Sequence, residues 1–222
     1  MPFKAISKFG KTTDIKTPEE EKEEIDISEI VSSVIKKRRS VRKYLKREVE
    51  DELLEKILEA ARYAPSAGNY QPWEFIIVKS EETKKNLVQA AYNQTWILEA
   101  PVFIVVCMNM RLAGAVYGER GLKLYGIQSV TAAIENMLLM AEALGLATCW
   151  VGAFSEVLIS RILECPDYIR PCAIITLGYP GEEPRTLHRQ SINEFTHIER
   201  FGETLHMRNV KKEKKPTYMK FE

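Results

Sequence analysis

A short basic segment at residues 36–43, KKRRSVRK, holds the first side chains suited to chemistry. Arg38, Arg39 and Arg42 supply guanidinium groups there, and Ser40 adds a hydroxyl. Guanidinium forks donate paired hydrogen bonds to phosphate oxygens, which a nearby hydroxyl can supplement. The segment therefore predicts a pocket for one phosphate dianion. A solvated charge run, or a patch for nucleic acid or targeting, would use the same residue types.

A second candidate is the loop at residues 65–73, with the sequence PSAGNYQPW. Its proline, serine, glycine and asparagine residues favour turns, and loops held by regular elements often carry binding residues. Taken alone, the stretch is also compatible with a plain turn, and Trp73 with a place in the core. The loop is therefore a functional candidate only in combination with other motifs.

Other catalytic signatures are missing from the sequence. It contains no G-x-x-x-x-G-K-[ST] and no G-x-S-x-G, and the glycines of residues 109–121 do not form G-x-G-x-x-G. The four cysteines form no C-x-x-C pair. All three histidines lie near the C-terminus, at His188, His197 and His206. We therefore expect no nucleotide hydrolysis, no Rossmann-type binding, no catalytic triad and no metal site.

Length and composition predict one domain with two tails. The chain has 222 residues, of which 45% are hydrophobic, enough for one sizeable core. We place an acidic N-terminal extension at residues 1–25, the domain at 26–200 and a basic C-terminal arm at 201–222. The formal net charge of +1 gives no global reason to expect a nucleic-acid partner.

The sequence also bears on location. No apolar run approaches the roughly 20 residues that a membrane-spanning helix requires. Residues 1–25 lack the apolar core of a signal peptide. The cysteines are predicted to be reduced thiols in the core. Together, these features predict a cytoplasmic protein without a membrane partner.

Hydrophobic periodicity predicts alternating helices and strands. Helical spacing covers 27–35, 51–63, 81–91, 122–144 and 155–163. Strand-like runs cover 73–79, 102–108, 146–151 and 172–177. The glycine-containing stretch 109–121, called the lid segment below, is predicted to be irregular and mobile. Alternation by itself favours a doubly wound parallel sheet.

The combination of motifs resembles the nitroreductase family of FMN enzymes. Members carry an R-x-S-x-R/K segment, then P-S-x-x-N-x-Q-P-W, then a glycine-containing strand end, and this sequence matches all three. The similarity covers residues 28–200 and includes YGERG at 117–121, GLATCWVGAF at 145–154 and LGYP at 177–180. It implies an α+β fold with a central, mostly antiparallel sheet flanked by helices, paired as an intertwined homodimer.

The resemblance implies a flavin site assembled from several segments. The predicted cofactor-binding residues are Arg38, Arg39, Ser40, Arg42, Pro65, Ser66, Ala67, Asn69, Gln128, Gly152, Ala153 and Arg189. Among them, Arg38, Ser40 and Arg42 would contact the phosphate and ribityl chain or the pyrimidine edge of FMN. Arg189 would join them, with Arg185 as the alternative.

The remaining implied contacts surround the flavin ring. Residues 65–69 would come from the partner subunit, and backbone N–H groups near Gly152 and Ala153 would face flavin N5. Arg42 and Asn69 are candidates to stabilise the negative charge of the reduced ring. Ser129 follows Gln128 where many relatives have aspartate, which would alter a polar contact beside the site.

By resemblance, the protein is an oxidoreductase that passes hydride from NAD(P)H through FMN to a nitro compound or quinone. Tyr117 and Arg120 of the lid segment would contact the nicotinamide donor or the small-molecule acceptor. Other members of the family dehalogenate, reduce enones or fragment flavin, and ferredoxin or a deazaflavin can replace NAD(P)H. A non-catalytic polyanion binder is the alternative from another class.

Overall fold

The computed structural model describes residues 26–184 and 186–203. The predicted N-terminal extension at residues 1–25 lies outside the described residues. So do Arg185, the alternative phosphate contact, and residues 204–222 of the predicted C-terminal arm.

A four-stranded antiparallel sheet forms the centre of the fold, in the order β1-β2-β4-β3. The strands are β1 (Trp73–Val78), β2 (Val102–Asn109), β3 (Ala147–Val151) and β4 (Ile169–Gly178). All three neighbouring pairs run antiparallel. The α+β prediction is therefore confirmed, whereas the parallel sheet favoured by alternation alone would have been wrong.

Helices cover both faces of this sheet. They are α1 (Ile27–Lys37), α2 (Asp51–Arg62), α3 (Glu81–Ala90), α4 (Met110–Gly114), α5 (Gly118–Arg120), α6 (Gly126–Ala143), α7 (Glu156–Ile162) and α8 (Ile192–Phe195). Single 3₁₀ turns lie at Ala67–Asn69 and Thr95–Glu99, and a π-helical turn at Gly121–Tyr125 precedes α6. No helix among these residues is long and apolar enough to cross a membrane.

Strand β2 separates two hydrophobic cores. Ile104 and Val106 pack with α2 and α6 on one face, while Phe103 and Val105 pack with α3 and α7 on the other. This alternation follows from the two-residue period of a strand. Because both faces are covered, residues 102–108 are buried without interruption and give the sequence no amphipathic signal.

The lid segment is more regular than the sequence predicts. It forms α4 and α5, and the Asn109 side chain accepts the Leu112 N–H at 3.3 Å to begin α4. Gly121 begins the π-helical turn and lets it pack closely against α4, because an added Cβ would lie 2.0 Å from the Ala113 carbonyl oxygen. The predicted irregular lid is therefore wrong, since close backbone packing holds the segment in helical turns.

Helix α1 leaves its apolar side uncovered. Asp26 caps it by accepting the N–H groups of Ser28 and Glu29. Four of its five large apolar residues are between 51% and 72% exposed, and the fifth, Val34, is half-buried. The four exposed residues, called the α1 stripe below, are Ile27, Ile30, Val31 and Ile35. A continuous apolar stripe of this kind is typical of an interaction surface.

The start of α2 is joined to the end of β4 by an exposed network. The Tyr179 hydroxyl donates to Glu50 at 2.6 Å, and Arg47 donates to the other oxygen of Glu50 at 2.8 Å. The hydroxyl, followed by the guanidinium, lowers the Glu50 pKa from its ordinary value of 4.5 to about 2.

Because the pKa is depressed in the folded state, Glu50 stabilises the fold above pH 4.5, and this contribution is lost as pH falls through about 2. We expect Glu50→Gln to unfold at lower urea concentration at pH 7. The difference from wild type should shrink through this acid range. Glu52→Gln, an exposed carboxylate in the same helix, is the control. Identical pH dependence for wild type and Glu50→Gln would contradict the assignment.

Candidate active site

The basic segment at residues 36–43, called the cationic segment below, lies against the edge strand of the sheet. Ser40 forms an isolated parallel bridge with Thr148 of β3, and the Val41 N–H donates to the Thr148 carbonyl at 3.0 Å. Val41 is buried, whereas Ser40 and Arg42 are exposed. Extended backbone places alternate side chains on opposite faces, which explains why these two polar groups project on one side.

The three arginines of the segment have different neighbours. Arg38 Nε lies 3.7 Å from Glu135 Oε1 on α6. Arg39 donates to the carbonyl oxygens of Lys36 and Arg38, where it caps the C-terminal end of α1. Only the Arg42 guanidinium faces an aromatic ring, with its Cζ 5.4 Å from the centre of Trp96.

A cavity of about 520 Å³ opens beside Ser40 and Arg42. Its lining comprises Arg39, Ser40, Arg42, Lys43, Trp96, Glu99, Glu182, Glu183, Pro184 and Leu187. The cationic and hydroxyl donors fit a phosphate group. The carboxylates oppose a phosphate group, and Glu182 Oε1 accepts a hydrogen bond from the backbone N–H of Arg42 at 3.0 Å. We call this space the phosphate cavity.

Cys149 faces the same groups from the sheet. Burial raises its pKa, and the nearby Arg42 charge and the Ser40 hydroxyl only partly oppose that effect. The thiol is therefore a buried, protonated core group at physiological pH.

The chain turns sharply after β3, at residues 152–155, which we call the exit turn. Gly152 and Ala153 are exposed. A Cβ built on Gly152 would meet only the Trp150 Nε1, at 3.9 Å. The Ala153 carbonyl accepts a hydrogen bond from the Gln94 side chain at 2.9 Å. The backbone of this turn is thus open to an approaching planar group.

The exit turn and the cationic segment are brought to one region by residues 94–96. Gln94 contacts Ala153, and Trp96, two residues later, faces Arg42. The structure therefore groups five of the predicted cofactor residues, which are Arg39, Ser40, Arg42, Gly152 and Ala153. Arg189 is exposed and follows Leu187, which lines the phosphate cavity.

The loop at residues 65–73 occupies a different place. The Ala67 N–H donates to Ser129 Oγ at 3.3 Å, and that hydroxyl donates to the Tyr125 carbonyl at 2.7 Å. The Ser66 hydroxyl accepts the Gln71 N–H at 3.0 Å. These bonds hold the loop to the beginning of α6. Pro65 and Asn69 remain exposed.

Three tyrosines extend this second region into the lid segment. The ring of Tyr117 contacts those of Tyr70 and Tyr125 edge to face, at centroid distances of 6.5 Å and 5.1 Å. Arg120 Nε donates to the Tyr125 hydroxyl at 2.7 Å. Gln128, on the adjacent turn of α6, is exposed. The loop and lid thus form one aromatic surface, which we call the tyrosine surface.

Within the described chain, no hydrogen bond, ion pair or ring contact joins the loop 65–71 to residues 38–42. The predicted site residues therefore fall into two groups on a single chain. One group surrounds the phosphate cavity and the exit turn, and the other forms the tyrosine surface.

The contacts of three residues in this part of the molecule were not anticipated from the sequence. In the sequence, Gln94 and Glu182 are ordinary polar residues. Only the tertiary structure brings Gln94 to Ala153 and Glu182 to Arg42. Ser129 stands out as a departure from the family pattern, but its burial, at 4% exposure, and its two hydrogen bonds require the structure.

The sequence of this chain is similar to those of known proteins. The sequence profile of the Nitroreductase family matches residues 35–97 and 89–179. A protein of Methanothermobacter thermautotrophicus is 37% identical over 160 residues, covering 70% of this chain and 80% of the relative. The FMN reductase [NAD(P)H] of Bacillus subtilis is 30% identical over 184 residues, covering 75% of this chain and 73% of the relative.

A solved structure agrees with these sequence relatives. The crystal structure of a nitroreductase family protein from Clostridium difficile superposes with a TM-score of 0.68 at 32% identity. It is similar over 75% of this chain and 96% of its own. The matched residues include the cationic segment, the loop at 65–73 and the strand preceding the exit turn. This chain belongs to the nitroreductase family.

Proposed function

We propose that this protein is an FMN-dependent oxidoreductase that transfers hydride from NAD(P)H to a small organic acceptor such as a nitroaromatic or a quinone. The main supporting observation is the phosphate cavity, where Ser40 and Arg42 project beside an exposed backbone turn. The name of the similar Bacillus subtilis enzyme, FMN reductase [NAD(P)H], supports the same chemistry.

The residues present fit an FMN phosphate with one reservation. Arg42 offers a guanidinium and Ser40 a hydroxyl, whereas Arg38 and Arg39 already have partners in α6 and α1. The Glu182 carboxylate lies at the Arg42 backbone and repels a dianion. Arg42 and Ser40 are therefore the proposed phosphate contacts.

The exit turn would hold the reacting edge of the ring. When bound, FMN would supply a two-electron carrier that accepts hydride at N5 and releases it to the acceptor. The chain contributes backbone N–H donors near Gly152 and Ala153, and room for the ring because Gly152 has no side chain. Donors fixed before the reaction stabilise developing charge without reorganising.

The tyrosine surface suits the binding of flat organic molecules. Tyr70 and Tyr117 present aromatic edges and faces, and Arg120 lies beside them on the lid segment. Aromatic rings of a nicotinamide, a nitroaromatic or a quinone would stack in such an environment. We propose that donor and acceptor use this open surface in turn, so that no separate dinucleotide fold is required.

A homodimer would unite the two groups of site residues. On one chain, the tyrosine surface and the phosphate cavity belong to different regions. The α1 stripe leaves large apolar residues exposed, which is typical of a surface that pairs with another chain. We propose that residues 65–69 of one subunit cover the flavin held by the other.

The phosphate contact is tested by Arg42→Ala. Loss of a charge-assisted hydrogen bond costs about 1.5–3 kcal/mol, so we expect the FMN dissociation constant to rise roughly 10- to 100-fold. Fluorescence titration of the flavin-free protein measures it. Arg161→Ala, an exposed arginine on α7, is the control and should bind FMN normally. Unchanged affinity in Arg42→Ala would remove the basis for this pocket.

Glu182→Gln should have the opposite effect. The amide keeps an acceptor for the Arg42 N–H but removes a negative charge from the phosphate cavity. At a half-exposed position this is worth about 1 kcal/mol, so FMN should bind roughly fivefold more tightly. Glu183→Gln, at the same cavity, should change affinity less. Weaker binding in Glu182→Gln would mean that its charge supports the pocket.

The α1 stripe is tested by Ile30→Asp. A buried unpaired carboxylate would oppose pairing, so sedimentation velocity should detect dissociation at micromolar concentrations, with loss of bound FMN. Val157→Asp places the same change on an exposed apolar position of α7 and should leave the dimer intact. A wild-type monomer that retains FMN and activity would contradict the shared site.

A further inference from the structure

The turn between α3 and the Thr95–Glu99 segment has an unusual backbone. Tyr92 and Asn93 are consecutive non-glycine residues in the left-handed region, with φ of 53° and 58°. The Asn93 N–H donates to the Val88 carbonyl at 2.9 Å, and the Gln94 N–H to the Ala91 carbonyl at 3.2 Å. Such strained backbone persists where surrounding contacts hold it, and it concentrates at functional sites.

This strained turn directs the Gln94 side chain to two carbonyl groups. Gln94 Nε2 donates to Ala91 at 3.0 Å and to Ala153 at 2.9 Å. A side-chain amide has two N–H donors, so both are used. Close by, the Ser155 N–H donates to the Ala90 carbonyl at 2.9 Å. The exit turn is therefore held at Ala153 by Gln94 and at Ser155 by the last residue of α3.

Fixing the Ala153 carbonyl constrains the neighbouring N–H groups. The peptide unit from Ala153 to Phe154 is planar and trans. The Phe154 N–H therefore points in the opposite direction to the Ala153 carbonyl that Gln94 holds. The orientation of that plane also limits the Ala153 ψ angle. Loss of the Gln94 bond would let the exit turn rotate, while the phosphate cavity keeps its lining.

We propose that Gln94 is a positioning residue for hydride transfer. Its amide holds the Ala153 carbonyl and so orients the backbone donors of the exit turn toward flavin N5. This role rests on the proposed function, since it concerns the same flavin site. Gln94 acts through the backbone and does not touch the reacting atoms. The same turn places Trp96 against Arg42, which links the ring end of the site to its phosphate end.

Gln94→Glu in the full chain tests the proposal, because it keeps the shape and removes both donors. The first readout is hydrogen exchange of the Ser155 amide in the FMN-free protein, which should become roughly tenfold faster as the exit turn loosens. The second is stopped-flow flavin reduction in the FMN-loaded protein. The rate at saturating NADH or NADPH should fall about tenfold. The dissociation constants for FMN and the donor should stay within about threefold of wild type.

Asn136→Asp is the matched control. Asn136 Nδ2 on α6 donates to the Ala60 carbonyl on α2 at 3.0 Å, so the change also removes an amide-to-carbonyl bond. It should lower the melting temperature without changing Ser155 exchange or the reduction rate. If Gln94→Glu fails to fold, Gln94→Met removes the donors without adding charge.

The outcomes separate the two claims. Faster Ser155 exchange together with slower reduction at unchanged affinities supports the positioning role. Unchanged exchange, or faster exchange with a wild-type reduction rate, overturns it while leaving the proposed function intact. Wild-type protein that binds no FMN overturns the proposed function and, with it, any role of Gln94 toward flavin.

Discussion

The pairing of residues 40 and 41 with Thr148 on the edge strand is the contact on which the site depends. The Val41 side chain enters the core, and that burial projects Ser40 and Arg42 from the other side. Since β3 continues directly into the exit turn, the same strand positions Ser40 and Arg42 and the exposed backbone of Gly152 and Ala153. One edge of the sheet thus fixes both the exposed side chains of residues 40 and 42 and the exposed backbone of the exit turn.

The backbone near this edge is strained at one turn. Tyr92 and Asn93 both lie in the left-handed region, which side chains other than glycine rarely adopt. Local conflicts of this sort are expected where residues are selected for binding and not for stability. The strained turn contributes by bringing Gln94 to Ala153 and Trp96 to Arg42, contacts that a relaxed loop would not hold.

The sequence predicts some parts of this structure well and others poorly. Periodicity located α6 closely, because a long amphipathic helix repeats its apolar positions many times. Periodicity could not predict the direction of the strands. Because helices cover both faces of β2, its sequence is continuously apolar, as in a strand of a parallel sheet. The motif resemblance supplied the antiparallel fold. Gln94 and Glu182 escaped prediction because their partners are 59 and 140 residues away in the chain.

An anaerobic titration of the purified protein with NADH and NADPH, followed in the visible spectrum, tests the central claim most directly. The account predicts a yellow protein that absorbs at about 450 nm, as oxidised flavins do. One of the two donors should bleach this colour, and an added quinone or nitroaromatic should restore it. A colourless protein that takes up no added FMN would contradict the flavin site. A yellow protein that neither donor bleaches would contradict NAD(P)H as the electron source.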